Sequence, residues 1–361
     1  MTSYLLAGGG TAGHVNPMLA MADELRRRDP AAQIVCVGTV EGLESTLVPA
    51  RGFELVTIPR IPFPRIRGLV SSSKRFIAGW PQAVKTISQL ITDRHVDVVI
   101  GVGGYSAAPA YAAARKAGIP FVIHEANAKP GLANRWGALR TPYVGVTFEG
   151  TPLPHATTVG TPLRKEIETL DIPAARSAAR EHFGLEVHRP VLVVTSGSQG
   201  ARSINTTIAE SAADIVAAGY QVLHIVGQNK PEALPSLPGY IALDYCDRMD
   251  LALAAANMVV SRAGSATVSE LSALGVPAVY VPYPVGNGEQ RFNVEALVAS
   301  GGGILVADAD FDAAWVRNQL VPLVSDSRGL SKYAAAAREH GIADGTARLF
   351  ALVQGVLPPK N

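Results

Sequence analysis

The run Ser261-Arg-Ala-Gly-Ser-Ala-Thr-Val-Ser-Glu270, followed by Pro282-Tyr-Pro-Val-Gly-Asn-Gly-Glu-Gln-Arg-Phe-Asn293, joins an anion-binding turn to groups that recognise hydroxyls. Met258-Val259-Val260 reads as a buried strand, and Ala263-Gly264-Ser265 turns the chain into a helix starting near Ala266. Backbone N–H groups at such a helix start are unpaired and lie at its positive dipole end, which favours a diphosphate. A carboxylate at Glu270 accepts both hydrogen bonds of a ribose diol, and the Gln290 amide suits sugar hydroxyls. Either half alone is as well explained by a Gly/Ser turn with a solvated glutamate. Together, after a strand, they predict a nucleotide-sugar pocket.

A second group of residues suits proton transfer. His14 follows Gly8-Gly9-Gly10-Thr-Ala-Gly13, and an imidazole with an ordinary pKa of about 6.5 is partly neutral at working pH. There it serves as a general base, caps the helix, or orients a substrate phosphate. The Gly103-Gly104-Tyr105 turn at a strand end reads as an anion nest or simply as a tight βα turn. His124, inside a β-rich run, reads as a satisfied buried histidine, and Arg262 as a loop brace. The first loop also matches Gly-x-Gly-x-x-Gly, with Glu41 as the acidic residue of a nicotinamide dinucleotide site. That alternative leaves the second glycine loop and the Ser265 to Gln290 constellation unexplained.

These residues need elements to position them. A chain of 361 residues, 48% hydrophobic, can bury a large core and more readily forms two domains than one. A net charge of +2 argues against a general polyanion or nucleic-acid binder. Cys36 and Cys246 lie far apart in sequence, giving neither a disulfide framework nor a metal cluster and fitting a reducing cytoplasm. Residues 1–22 lack a basic flank and are interrupted by Gly8-Gly9-Gly10, Gly13 and Pro17, so they read as neither signal peptide nor spanning helix. Residues 98–114 are broken by Gly103-Gly104 and Pro109.

Both halves open alike. Tyr4-Leu5-Leu6-Ala7 runs into the first glycine loop, and Val191-Leu-Val-Val194 runs into Gly197-Ser-Gln-Gly200, each followed by an amphipathic helix. In the first helix Pro17 suits the N1 position, before Met18, Met21, Ala22 and Leu25 recur with helical period. Further β-rich runs at 34–37, 96–102, 121–123, 222–226, 258–260 and 278–281 alternate with helical stretches. That pattern predicts an α/β chain of two Rossmann-like, doubly wound domains, over 1–161 and 162–342, with an inter-domain cleft. A last helix, within about 343–361, is free to pack back on the first domain.

Beyond these readings the chain resembles the MurG family of UDP-N-acetylglucosamine transferases, glycosyltransferase family 28. The motifs that carry the resemblance are Gly8-Gly-Gly-Thr-Ala-Gly-His14, Gly103-Gly-Tyr-Ser106, His124-Glu-Ala-Asn127, Ser196-Gly-Ser-Gln-Gly-Ala-Arg202 and the donor stretch above. The resemblance implies a GT-B fold and inverting transfer of N-acetylglucosamine from UDP-GlcNAc to the C4 hydroxyl of the muramoyl sugar of lipid I, giving lipid II. It implies a donor site at Arg164, Ser198, Cys246, Ser265, Ala266, Thr267, Val268, Ser269, Glu270 and Gln290, with Thr11, Ala12, Gly13 and Asn127 from the first domain. Cys246 would contact the uracil through its backbone. His14 becomes the expected base, and Gly103, Gly104 and Tyr105 the acceptor's diphosphate site. Two positions depart from the family pattern: Ala12 replaces a glycine, and Glu289-Gln290 stands where many members have paired glutamines. No metal or other cofactor is expected, since no Asp-x-Asp pair sits where a bridging cation would, and helix starts at Ser198 and Ser265 with the Arg164 guanidinium would stabilise departing UDP.

Between residues 55 and 92 there is no acidic residue, while Arg60, Arg65, Arg67, Lys74, Arg75 and Lys85 interleave with Ile61, Phe63, Ile66, Leu69, Phe76, Ile77 and Trp80. The segment reads as a face for an anionic membrane surface or as a solvated basic loop with core-facing aromatics. The resemblance favours the former, on the cytoplasmic side of the cell membrane, with cell-wall synthesis proteins as further partners. A UDP-sugar epimerase of the same fold and a non-catalytic nucleotide-sugar sensor are the competing functions.

Overall fold

The computed structural model describes residues 1–61, 69–197, 199–231, 233–285 and 288–357, apart from the side chains of Ala12 and of residues 69–78. The chain divides into two compact units, Met1–Arg164 with Asp344–Asn361, and Lys165–Ala343. The first unit holds strands β1 (Ser3–Ala7), β2 (Gln33–Gly38), β3 (Glu54–Thr57), β4 (Val98–Gly101), β5 (Phe121–Glu125), β6 (Val144–Val146) and β7 (Ala156–Thr158). They form one sheet in the order β3-β2-β1-β4-β5-β6-β7, and every pairing is parallel. The order reverses between β1 and β4, so the loops leaving these two strands face each other at a topological switch point.

Helices α1 (Ala12–Arg28), α2 (Glu44–Ala50), α3 (Leu69–Asp93), α4 (Ala107–Ala117) and α5 (Leu132–Ala138) cover this sheet. Alternate residues of β1 supply two cores. Leu5 and Ala7 join Ala83, Ile87, Leu90 and Ile91 of α3, whereas Tyr4 and Leu6 join Met18, Met21 and Leu25 of α1. The closing helix Gly345–Gln354 adds Leu349 and Val353 to the second of these cores. Its Gln354 amide donates to the Tyr4 hydroxyl at 3.2 Å, and Arg28 lies 4.4 Å from the Phe350 ring centroid.

Pro17 departs from expectation: α1 begins at Ala12, with Thr11 as N-cap, and runs through the proline. A proline at this depth removes the amide that would bond the Gly13 carbonyl. The helix starts earlier than the sequence suggested, and His14 lies inside its first turn instead of before it. The expected strand at 96–102 is shorter, spanning Val98–Gly101; before it, the Asp97 amide donates to the Ser3 carbonyl at 2.9 Å and its carboxylate accepts the Ser3 amide at 2.8 Å.

The second unit repeats the scheme. Strands β8 (Val191–Thr195), β9 (Gln221–Ile225), β10 (Tyr240–Leu243), β11 (Met258–Ser261), β12 (Ala278–Tyr280) and β13 (Ile304–Leu305) form a sheet in the order β10-β9-β8-β11-β12-β13, again all parallel. Its helices include α6 (Lys165–Glu168), α7 (Ile172–His182), α8 (Arg202–Ala217), α9 (Met249–Ala255), α10 (Ser265–Leu274) and α11 (Glu289–Ala299). The switch point falls between β8 and β11, at the second glycine loop and the turn into α10.

One buried histidine in each unit fastens the loops near these points. His124 of β5 bonds the Gly160 carbonyl through Nε2 at 2.9 Å, and burial pushes its pKa down to about 4. His224 of β9 accepts from the Tyr240 hydroxyl at Nδ1 (2.7 Å) and donates from Nε2 to Asn205 Oδ1 (3.0 Å). The Asn205 amide in turn donates to the carbonyls of Val226 and Asn229, both at 2.8 Å. Burial lowers His224 to about 4 as well. From 6.5 down to about 4 the unfolded chain takes up protons that the folded chain refuses, so stability is lost as pH falls through this window. The urea midpoint should therefore be highest near neutral pH and fall progressively between pH 6.5 and 4; a midpoint unchanged across that window would contradict these two histidines being held neutral.

Candidate active site

In the first unit the turns after β1 and β4 touch through backbone. Gly103 and Gly104 adopt φ of +91° and +83°, and a Cβ on Gly104 would lie 2.4 Å from the Gly9 carbonyl oxygen. Only glycine permits that approach. His14 projects from the first turn of α1 beside this junction. Its Nδ1 lies 3.3 Å from Thr11 Oγ1, and a Cβ on Gly103 would meet its Nε2 at 3.0 Å. Burial lowers the His14 pKa, opposed by the charge of Glu125, the Gly9 backbone and the charge of Glu44. The result is an imidazole that is neutral at pH 7 with carboxylates near enough to favour the proton once it arrives.

Those carboxylates are the residues that sequence reasoning missed. Glu125 is buried and accepts from the amides of Asn127 (2.9 Å) and Gly131 (3.0 Å) and from Asn134 Nδ2 (2.9 Å). Asn134 is held by the Tyr111 hydroxyl at 2.7 Å and reaches the His124 carbonyl at 3.1 Å. Glu125 stood inside the quoted His124 to Asn127 motif, but nothing in the spacing revealed that Asn134 and Gly131 would orient it. Glu44 is fully buried and accepts from the Gly10 amide (2.8 Å), the Thr39 amide (2.8 Å) and the Thr39 hydroxyl (2.9 Å). The acidic residue singled out in sequence, Glu41, is exposed instead.

Tyr105 sits across from Gly10. The Arg60 guanidinium donates to the Tyr105 hydroxyl at 3.1 Å and stacks 4.7 Å from its ring centroid, so a cation stands at the rim of the two glycine turns. Asn127 follows β5 and is half-buried; Thr11 is exposed. Of the apolar and basic residues assigned to a membrane face, residues 62–68 lie outside the described residues. Ile61 belongs to the core and Trp80 packs edge-on against Trp136 at 6.0 Å, which turns these two away from a lipid-facing role.

In the second unit β11 delivers Arg262-Ala263-Gly264 into α10. Gly264 is an extended N-cap without a side-chain cap, and the first intrahelical bond runs from the Val268 amide to the Gly264 carbonyl at 2.9 Å. The amides of Ser265, Ala266 and Thr267 precede that bond and concentrate the positive dipole end there. Glu270 lies half-buried later in the helix. Val268 is 1% exposed and packs into the core, so its expected donor contact can only be through backbone. Gln290 Oε1 accepts the Tyr283 amide at 2.9 Å, fixing the amide group at the start of α11. Cys246 is buried beyond β10, and Arg164 is half-buried just before α6. Ser198 lies outside the described residues.

Arg262 does brace the loop. It donates to the carbonyls of Val281 (3.1 Å) and Pro282 (3.2 Å), to Asp308 (2.5 Å) and to Ser203 Oγ (3.0 Å). One guanidinium thus ties the exit of β12 and the start of α8 to the α10 turn. Among the described residues no group of three His, Cys, Asp or Glu is gathered as a metal-ligand set.

Two parallel-sheet, Rossmann-type units, the first carrying His14 near Glu125 and Glu44 and the second a Gly264 N-cap with Glu270 later in α10, have the architecture of the GT-B class. Residues 4–143 match the glycosyltransferase family 28 N-terminal domain and residues 191–349 the glycosyltransferase family 28 C-terminal domain. The chain belongs to glycosyltransferase family 28. It is 58% identical to a protein of Leifsonia xyli across 98% of both chains, and 46% identical to one of Streptomyces coelicolor across 97% of this chain and 96% of the other. Both relatives are named UDP-N-acetylglucosamine–N-acetylmuramyl-(pentapeptide) pyrophosphoryl-undecaprenol N-acetylglucosamine transferase. A crystal structure of Acinetobacter baumannii MurG, 24% identical, shares the fold with a TM-score of 0.75 over 98% of this chain and 100% of that one.

With His14 as the proposed base, burial outweighs the Glu125 charge, so the acid limb of kcat/KM in the wild-type enzyme should titrate below 6.5. Glu125→Gln should move it lower still and reduce kcat about tenfold or more, because a weaker base takes the proton. An unmoved acid limb would remove Glu125 from that role.

Proposed function

We propose that this chain transfers N-acetylglucosamine from UDP-GlcNAc to the C4 hydroxyl of the muramoyl sugar of lipid I, with inversion, giving lipid II. The observation that carries the reading is the pairing of near-full-length identity to transferases of that name with an uncapped α10 start followed by Glu270. In this reading the α10 amides take the diphosphate of UDP, Glu270 takes the ribose diol, the Cys246 backbone the uracil, and Gln290 the sugar hydroxyls. Ser198, Arg164, Asn127 and Thr11 to Gly13 complete the donor site.

The chemistry follows from the charges. His14 removes the proton of the acceptor hydroxyl as its oxygen bonds to the anomeric carbon. The bond from that carbon to the β-phosphate oxygen breaks, and its electron pair leaves with UDP. Negative charge grows on the diphosphate, where fixed N–H dipoles and the Arg164 guanidinium are worth more than solvent because they need no reorientation. In the tautomer this step needs, Nδ1–H donates to Thr11 Oγ1 and the Nε2 lone pair takes the acceptor's proton. Gly103, Gly104 and Tyr105 hold the acceptor's diphosphate, with no metal required.

Among the described residues no helix is long and apolar enough to cross a membrane. A lipid-linked acceptor therefore calls for a peripheral approach, on the cytoplasmic side, through the basic stretch that includes Arg60 and Lys85. Cell-wall synthesis proteins are the further partners this location implies.

With UDP-GlcNAc and a lipid I analogue, the enzyme should release UDP and lengthen the acceptor by one sugar, whereas UDP-GlcNAc alone should persist; epimerisation without acceptor would replace this reading by the epimerase one. His14→Ala should lower kcat by about 10²- to 10⁴-fold. Wild-type kcat in that variant would exclude the base. Arg164→Ala should raise the donor KM and lower turnover, and unchanged donor kinetics would take Arg164 out of the site.

A further inference from the structure

The first glycine loop has the sequence and position of a phosphate cradle, at the carboxyl edge of β1 beside the switch point. Its interior is already filled. The Gly10 amide, which would face a phosphate oxygen, donates to Glu44 Oε2 at 2.8 Å, while Oε1 takes the amide and hydroxyl of Thr39 at 2.8 and 2.9 Å. The loop is shaped around this side chain. A Cβ on Gly9, Gly38 or Gly42 would come within 2.2, 2.3 and 2.0 Å of it, so three glycines from two chain segments close over one carboxylate.

We infer that Glu44 is an internal anion that occupies the phosphate nest of the first unit, shutting it to nucleotides and holding the loop that carries His14. The carboxylate takes the space and the donors that a phosphate seated on Gly8 to Gly10 would need. Among the described residues of the second unit, a Cβ on Gly197 or Gly264 would meet nothing within 4 Å, and Gly200 is closed by the Val226 carbonyl, not by a carboxylate. Two units of one architecture thus become unequal: one remains open to a diphosphate, and the other spends its nest on a buried acid. The same acid makes the first loop rigid, since Gly10 and Thr39 lie on the turns after β1 and β2 and are cross-linked through it.

Glu44→Ala should open the nest. With the enzyme saturated by UDP to fill the second unit, inorganic phosphate titrated by calorimetry should find one more site in the variant than in the wild type or in Glu41→Ala, whose side chain is exposed. The kcat of Glu44→Ala should fall on the order of 10- to 10²-fold through misplacement of His14, and formate or phosphate should restore part of it by refilling the cavity. A folded Glu44→Ala that binds no more phosphate under UDP than the wild type overturns the inference. If the variant folds only marginally, phosphate should raise its Tm and refolding yield as a ligand bound to the native state does; a Tm and yield indifferent to phosphate overturn it equally. The binding measurement involves no acceptor, so its outcome stands apart from that of the proposed transfer reaction.

Discussion

A parallel strand that turns into a helix leaves backbone N–H donors pointing into the turn, and something must accept their hydrogen bonds. The two units meet this requirement differently. After β1 a glutamate from the next crossover comes in beneath the loop and takes the Gly10 amide, with Thr39 on its other oxygen. After β11 the N-cap is Gly264, which has no side chain to offer, and the amides of Ser265 to Thr267 precede the first intrahelical bond. The proposed division of labour rests on this difference: the nucleotide diphosphate is assigned to the second unit and the proton transfer to the first.

The surroundings of each turn are consistent with its task. In the first unit the hydrogen-bond chain from Tyr111 through Asn134 to Glu125 fixes a carboxylate whose field favours a proton on His14, while burial keeps that ring neutral until a proton is offered. In the second, Arg262 spends its donors on Val281, Pro282, Asp308 and Ser203. It stiffens the approach to α10 and α11, and Gln290 is further fixed by the Tyr283 amide. Preorganised donors of this kind stabilise charge that develops on a leaving group without having to reorient.

The sequence made the architecture readable because its strongest signals were local. Apolar runs such as Val191 to Val194 and Met258 to Val260 are strands buried on both faces, and the glycine turns that follow them need no tertiary information to recognise. The strands at Glu54–Thr57, Val144–Val146, Ala156–Thr158, Tyr240–Leu243 and Ile304–Leu305 are only two to four residues long, too short for a period-2 pattern to stand out. Pro17 misled because proline is most at home in a first helical turn, whereas α1 had already begun at Ala12. Glu44 and Asn134 were invisible for another reason: their partners are backbone groups and side chains that only the fold brings near. Val268 shows the converse, a residue in the donor motif whose side chain the core claims.

The claim that the two turns have been made unequal is tested most directly by locating UDP in a crystal of the complex. The account predicts the diphosphate over the amides of Ser265, Ala266 and Thr267 and the ribose at Glu270, with the Gly10 amide still bonded to Glu44. A diphosphate seated on Gly8 to Gly10, with Glu44 displaced, would contradict it.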